Sequence, residues 1–234
     1  MNARRIISLL AIASLGAHLL TGCDSLPGRP TKADLPVRPS DVADFAKLYG
    51  ENCAGCHGVD GKFGAALAMN NSVYLGIIDD ASMRRVIADG VPGTAMPPFA
   101  HSAGGSLTDR QIDIVIAGVR KSWARAPGAA AGAPPYSSST SGDPDRGAQV
   151  YASHCQSCHG PDGNGGTAGS IVDPSYLKLV SNQYLRTIVI AGRPDLGQPD
   201  WKNDVPGQPL TPAQVADVVA WLSSKRPVPL TLSN

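Results

Sequence analysis

The sequence has few aromatic residues, no excess of either charge and no long apolar run. Aromatic residues make up 5% of the 234 residues, and 20 basic residues stand against 19 acidic ones. This balance provides no basic surface for nucleic acid, so we expect no nucleic-acid partner. No apolar run reaches the length of about 20 residues that a membrane-spanning helix needs. The absence of a clear alternation of apolar and polar residues argues against β-strands.

The N-terminus resembles the export signal of a bacterial lipoprotein. Two arginines precede an apolar segment, residues 6–20, whose length fits the hydrophobic region of a secretory signal. The motif LTGC at 20–23 resembles a lipobox, which implies cleavage before Cys23 and a lipid on that cysteine. Asp24 resembles the signal for retention at the inner membrane. We expect a lipid-anchored protein outside the cytoplasm, at the periplasmic face of the inner membrane. The alternative is an uncleaved N-terminal anchor with an incidental Cys23.

Two long segments of the chain repeat each other at a shift of 102 residues. The motif CAGCHG at 53–58 recurs as CQSCHG at 155–160, and Tyr49 and Tyr151 hold matching places before it. Further matches continue to the last predicted helix of each repeat, where Thr and Gln three residues apart predict a capping box. Similarity over most of a domain's length indicates the duplication of a whole fold.

The repeat and the changes in composition divide the chain into six regions. Between the repeats lies a stretch rich in Ala, Gly, Pro and Ser, which predicts a flexible linker. Apolar residues at helical spacing predict helices joined by loops within each repeat. The predicted regions are a signal peptide at 1–22, a lipidated tether at 23–39, a first domain at 40–123, a linker at 124–142, a second domain at 143–226 and a tail at 227–234.

The pattern CxxCH, which occurs twice, is the attachment signature of c-type haem. Two thiols about one helical turn apart can add to the two haem vinyl groups, and the adjacent histidine can then reach the iron. A redox CxxC pair would need a βαβ pattern that the chain lacks, and a zinc ribbon usually separates its cysteine pairs by about 15–20 residues. We therefore expect two covalently bound haem c groups. The residues are Cys53, Cys56 and His57 in the first motif, and Cys155, Cys158 and His159 in the second.

With these motifs, residues 40–226 resemble two class I cytochrome c domains in tandem, and the whole chain resembles a membrane-anchored dihaem cytochrome c. The resemblance implies an all-α fold in which an N-terminal helix leads into CxxCH, a C-terminal helix packs across it and a ligand loop lies between them. It also implies that His57 and His159 are axial ligands of the two irons, with a methionine as the usual second ligand.

The first domain offers a methionine for the second axial position. Met96 follows His57 by 39 residues and lies in a loop rich in proline and glycine. A thioether ligand raises the reduction potential of the iron. Met69 lies too near the motif to reach the iron, and Met83 lies in a helical pattern that is typical of core packing. We therefore expect Met96 to bind the iron of the first haem.

The second domain contains no methionine, and the repeat places Gln198 opposite Met96. We expect first an open or weakly held iron with Gln198 lining the pocket. Gln198 binding through its amide oxygen, and another ligand such as Lys202 or a residue of a partner, stay open as alternatives. An oxygen ligand or water favours ferric iron more than a thioether does. The second haem is therefore expected to have the lower potential and to pass electrons to the first.

Three functional hypotheses follow from these features. The first is a lipid-tethered electron carrier of a respiratory or photosynthetic chain, which is not itself an enzyme. The second is a cytochrome subunit docked on a quinol-oxidising complex, a dehydrogenase or a terminal oxidase, the same proteins that a free carrier would meet as partners. The third is catalysis or small-ligand sensing at an open second haem, where Asp195 is the only nearby candidate for an acid–base group.

Overall fold

The structure is a computed structural model that describes residue 28 and residues 35–124 and 128–227. The predicted signal peptide, the proposed lipid site at Cys23 and residues 228–234 of the predicted tail lie outside the described residues. In the described part of the chain, no helix combines the length and the apolar composition needed to cross a bilayer.

Two compact units make up the chain, residues 1–41 and residues 42–234. The described part of the first unit holds a short 3-10 helix, Pro39–Asp41, beside which Arg38 Nε donates to the Asp41 carboxylate at 2.9 Å. The second unit contains both repeats, so the contacts between the repeats lie within one compact unit.

Within the described residues, each repeat contains five α-helices in the same order, and no strand is present. The first repeat has α1 (Phe45–Asn52), α2 (Ala54–His57), α3 (Ser72–Ile77), α4 (Asp80–Asp89) and α5 (Asp109–Trp123). The second has α6 (Pro144–His154), α7 (Gln156–His159), α8 (Pro174–Leu179), α9 (Asn182–Ala191) and α10 (Pro212–Ser224). A short 3-10 helix lies between the last two α-helices of each repeat, at His101–Ala103 and at Pro194–Leu196. The predicted all-α fold is confirmed.

Side-chain caps set where the helices begin. Asp44 accepts a hydrogen bond from the amide of Lys47 at 2.7 Å, and α1 therefore begins at Phe45. Thr108 forms the predicted capping box with Gln111 at the start of α5, and α10 begins with the same arrangement. These polar residues satisfy amide groups that have no partner inside the helix, so the sequence specifies the helix starts locally.

The last helix of each repeat packs across the first, as the resemblance implies. Helix α5 contacts α1, and α10 contacts α6 along more of its length. Apolar side chains on the contacting faces leave water on folding, and each fully buried one contributes about 1.5–3 kcal/mol. The fully buried aliphatic residues of the two helices are Ile112, Val115 and Val119 in α5, and Val215 and Val218 in α10.

The segment between the repeats packs against both of them, which differs from the flexible linker that its composition predicts. On one side, Arg186 Nη2 in α9 donates to the carbonyl oxygen of Pro135 at 2.7 Å. On the other side, a Cβ placed on Gly76 in α3 would lie 2.6 Å from the Cβ of Ala130. Because hydrogen bonds and close packing hold it on both sides, residues 128–142 form a docked strap. Composition alone reports the freedom of the isolated chain and not these contacts.

Candidate haem sites

The two attachment motifs fold in the same way at a break between two helices. The amide of Cys53 donates to the backbone carbonyl oxygen of Tyr49 at 2.8 Å, and the carbonyl oxygen of Cys53 accepts from the amide of His57 at 3.0 Å. The two corresponding bonds of Cys155 have the same lengths, 2.8 and 3.0 Å. The cysteines of each motif are therefore separated by one short helical turn, the spacing that attachment to two vinyl groups requires.

No disulfide joins any of the four motif cysteines. Cys56 and Cys158 are exposed, whereas Cys53 and Cys155 are partly buried. Burial, and then the neighbouring Cys56, raises the pKa of Cys53 to about 11. Burial, and then the Asp204 carboxylate, raises the pKa of Cys155 to about 12. Redox CxxC pairs instead have a lowered thiol pKa, so the motifs do not have the electrostatics of a redox pair.

Backbone carbonyl groups orient the two motif histidines. His57 Nδ1 lies 2.7 Å from the Leu67 oxygen, and His159 Nδ1 lies 3.2 Å from the Gly169 oxygen. A ring nitrogen that faces a carbonyl oxygen carries the proton, which leaves Nε2 of each ring free to bind iron. Burial lowers the pKa of His57, although the bond to Leu67 opposes this shift, and a lowered pKa favours the neutral imidazole that a metal binds. Both motifs fit a covalently attached haem with an axial histidine.

The loops that follow α4 and α9 place Met96 and Gln198 at matching positions. The backbone carbonyl oxygen of Met96 accepts from the amide of Val91 at 2.9 Å, and the backbone carbonyl oxygen of Gln198 accepts from the amide of Arg193 at 3.1 Å. The two loops therefore have the same register relative to the preceding helix. The sequence alignment that pairs the two residues is also the structural one.

A glycine at the start of each loop explains this shared register. Gly90 and Gly192 have φ values of +66° and +65°, which side chains rarely adopt. A Cβ on Gly90 would lie 2.5 Å from the Pro98 nitrogen, and a Cβ on Gly192 would lie 2.2 Å from the Pro199 oxygen. Both loops thus fold back tightly at the same point, and only a residue without a side chain allows this path.

The side chains of Met96 and Gln198 are both half-buried. Met96 packs against the core, whereas Met69 and Met83 lie within the core, as expected for Met83. Gln198 Nε2 donates to the Ile188 oxygen at 3.4 Å, and the side-chain oxygen makes no hydrogen bond to any described residue. A glutamine binds a metal through this oxygen. The axial roles of Met96 and Gln198 stay predictions.

Two other candidates for chemistry at the second haem have partners elsewhere. Lys202 is exposed, and its ammonium group lies 5.3 Å from the centre of the Trp201 ring. The Asp195 carboxylate pairs with Arg193 at 2.9 Å and accepts from the amide of Phe63 at 2.8 Å. The hydrogen bond from Arg193 holds the pKa of Asp195 below its usual value. Asp195 is therefore an ion-pair partner and not a free acid–base group.

Sequence reasoning missed residues that the structure brings next to the first motif. Arg193 and Asn71 join the two repeats, although neither belongs to a recognised motif. A signal was present in the repeat itself, because Arg193 stands opposite Val91 and Asn71 stands opposite Asp173. A position at which one repeat differs from the other can therefore indicate a contact between the repeats.

Two family models match the chain, one in each repeat. Residues 40–117 match the family described as cytochrome c oxidase, cbb3-type, subunit III. Residues 144–225 match the family described as cytochrome c. Fold and sites together define a class, the c-type cytochromes, whose domains serve electron transfer. The protein itself is a dihaem cytochrome c, with two cytochrome c domains in tandem and two covalently bound haem c groups.

Among solved structures, the chain is similar to a chain of the Kuenenia stuttgartiensis reducing HAO-like protein complex. The two are 18% identical over 82% of this chain and 100% of that chain, with a TM-score of 0.45. No curated protein matches the sequence.

Proposed function

We propose that the protein is a lipid-anchored electron carrier outside the cytoplasm, which passes electrons from its second haem to its first and is not itself an enzyme. The observation that supports this direction is the matched placement of Met96 and Gln198 in loops of the same backbone register. Ligation by a thioether and histidine favours ferrous iron, whereas an oxygen ligand or an open position favours ferric iron more. Electrons therefore move from the second domain to the first.

The bound haem supplies one-electron redox chemistry, and the residues of the chain orient its ligands. The carbonyl oxygens of Leu67 and Gly169 hold His57 and His159 through Nδ1, so that Nε2 of each ring has a fixed direction. Met96 packs against the apolar core, which restricts the movement of its side chain. Ligands that are held in place need little rearrangement when the iron changes its charge.

The lipid on Cys23 would hold the protein at the periplasmic face of the inner membrane. Residues 23–39 would act as the tether, within reach of a quinol-oxidising complex, a dehydrogenase or a terminal oxidase. We expect the substitution Cys23→Ser to move the protein from the membrane fraction to the soluble fraction. Membrane association that is unchanged in this variant contradicts the lipid anchor.

Two spectroscopic measurements and a redox titration test the redox assignment. Pyridine haemochrome analysis is expected to show two haems per chain, and the CO difference spectrum of the reduced protein is expected to show CO on one of them. A redox titration is expected to place the higher potential in the first domain. If CO binds to neither haem, both irons are firmly six-coordinate and the second site is not open. A higher potential in the second domain contradicts the proposed direction of transfer.

A permanent subunit of a larger oxidoreductase is the second candidate function. The match of residues 40–117 to a family of oxidase subunits supports this candidate. The two functions differ in the state of the protein after mild detergent extraction. A subunit is expected to elute with other chains at a larger mass, and a carrier is expected to elute alone.

A further inference from the structure

Arg193 and Asp195 of the second domain form a buried ion pair that contacts the first domain. Their side chains are 8% and 4% exposed, and Arg193 Nη2 lies 2.9 Å from a carboxylate oxygen of Asp195. The same nitrogen donates to the Gly64 oxygen at 2.9 Å, and Asp195 accepts from the amide of Phe63 at 2.8 Å. Phe63 has a φ of +61°, the only positive value at a non-glycine residue of the described chain. The ion pair therefore holds a strained turn of the first domain.

This turn lies directly on the first haem-attachment motif. A Cβ on Gly64 would lie 2.2 Å from the Cys56 oxygen and 2.6 Å from the carbonyl carbon of His57, so the two backbone segments are in contact. Three residues further along the chain, the Leu67 oxygen orients the His57 ring at 2.7 Å. The charged side chains of Arg193 and Asp195 therefore contact the turn that packs on this motif and precedes the carbonyl group that orients His57. The second domain thus contributes to the electrostatic surroundings of His57.

Asn71 adds a second contact between the domains. Its Oδ1 caps α3 by accepting from two amides at 2.9 and 3.1 Å, while its Nδ2 donates to the Ala191 oxygen at 2.8 Å. Asp173 caps α8 in the same manner, with distances of 2.8 and 3.0 Å. A carboxylate caps the helix equally well but has no N–H to donate. Asparagine at this position is therefore required by the contact between the domains and not by the cap.

These contacts run in one direction between the two repeats. Arg193 and Asp195 stand opposite Val91 and Gly93 of the first repeat, and Phe63 stands opposite a glycine. The first repeat therefore cannot make the same ion pair on the second haem-attachment motif. The two loops share their backbone path, and Arg193 and Asp195 are among the residues at which they differ.

We propose that Asn71, Arg193 and Asp195 are positioning residues that lock the loop following α9 in the second domain onto the attachment motif of the first. Through this lock, the second domain sets the electrostatic surroundings of His57, and the reduction potential of the first haem depends on a charge pair of the other domain. The inference rests on the proposed function only in that it concerns electron transfer between the two haems. It holds for either direction of transfer.

The substitution Asn71→Asp tests the lock in the full-length protein with both haems attached. The variant retains the cap of α3, loses the bonds from Nδ2 to the Ala191 and Gly192 oxygens and places a carboxylate against these two carbonyl groups. We expect hydrogen exchange of the Phe63 amide, which donates to Asp195, to become at least about tenfold faster, since the loss of one hydrogen bond to a buried group already accounts for a factor of that size. The matched control is Asp173→Asn, which retains the cap of α8 and is expected to leave exchange at Phe63 unchanged. Equal exchange in Asn71→Asp and the unsubstituted protein overturns the lock.

Redox titration tests the electrostatic part of the proposal. Each midpoint is assigned to its haem by NMR, because the two attachment motifs differ in sequence. We expect Asp195→Asn, which removes a negative charge, to raise the midpoint potential of the first haem. Arg193→Gln, which removes a positive charge, is expected to lower it, because a more positive environment favours the reduced iron. The control is Arg146→Gln, which breaks an ion pair with Asp217 of similar geometry, 2.9 and 3.0 Å, inside the second domain.

The outcomes separate a charge effect from a loosened interface. Shifts of opposite sign at the first haem, absent in the control, support the proposal. Shifts of the same sign in both variants, or shifts at the second haem alone, overturn it. A higher midpoint in the second haem of the unsubstituted protein would contradict the proposed direction of transfer but would leave the test by opposite signs intact.

Discussion

Phe45 fills the space beside Gly118, where a Cβ on the glycine would lie 2.1 Å from the Cδ2 atom of the ring. In the second domain the large and small residues at these two positions are exchanged. Gly147 stands opposite Phe45, and Trp221 stands opposite Gly118. A Cβ on Gly147 would lie 2.8 Å from the Cβ of Trp221. Each helix crossing therefore combines one large side chain with one glycine, on opposite helices in the two domains.

This exchange predicts compensation between two substitutions in the first domain. We expect Phe45→Gly to cost about 2–3 kcal/mol because it leaves a cavity. Gly118→Trp is expected to cost about 1–3 kcal/mol because it overpacks the crossing against Phe45. The double variant, which has the arrangement of the second domain, is expected to lose clearly less than the sum. Denaturant unfolding of all four proteins measures the coupling, and additive losses would show that the crossing does not depend on matched sizes.

Gln198→Met is expected to convert the second haem into a methionine-ligated one. The backbone carbonyl oxygens of Gln198 and Met96 accept equivalent hydrogen bonds in their two loops. A methionine at 198 would therefore hold the position in its loop that Met96 holds in the first domain. CO binding at the second haem is expected to disappear and its midpoint potential to rise, since a thioether favours ferrous iron. The control is Gln208→Met, because residue 208 is exposed. Unchanged CO binding in Gln198→Met contradicts the proposed position of the ligand.

Arg120 is expected to be needed for the stability of the first domain. Its Nη2 donates to the Ile78 oxygen at 2.6 Å, its Nε donates to Asp80 at 2.8 Å and its Nη1 donates to the Leu75 oxygen. Only a guanidinium group reaches three acceptors in this geometry. We expect Arg120→Lys to lower the free energy of unfolding by about 1–3 kcal/mol. The exposed Lys121→Gln on the same helix is the control, and an equal loss in both variants contradicts the prediction.

Asp204 is expected to make stability depend on pH near neutrality. Burial, and then the neighbouring Asp200, raises the pKa of Asp204 to about 7. An aspartate of the unfolded chain has a pKa of about 3.9, so between these values the folded state binds more protons. The free energy of unfolding therefore falls as the pH rises from about 4 to about 7, and above that range the contribution of Asp204 is constant.

Thermal unfolding of Asp204→Asn measures this contribution. We subtract the melting temperature of the unsubstituted protein from that of the variant at each pH. This difference is expected to be larger at pH 8 than at pH 5, because asparagine does not ionise. The exposed Asp145→Asn, which removes a carboxylate from the surface of the same domain, is the control. A difference between Asp204→Asn and the unsubstituted protein that is the same at both pH values would mean that Asp204 does not titrate in this range.

The features that could be predicted from sequence were those that depend on neighbouring residues. Thr108 and Gln111 are three residues apart, and the capping box that they form needs nothing beyond one helical turn. The CxxCH motifs are equally local, and each folds at the break between two short helices. The role of Asp195 could not be predicted in this way, because its partner Phe63 lies 132 residues away along the chain.

Short-range patterns specify helices, caps and attachment motifs, so the helical fold, the duplication and the two haem c groups can all be read from the amino-acid order. The contacts of Arg193 and Asn71 between the domains, and the docking of residues 128–142, are visible only in the folded chain. The physical reason is that a side chain far along the chain finds its partner only after both domains have folded. No local pattern encodes that distance.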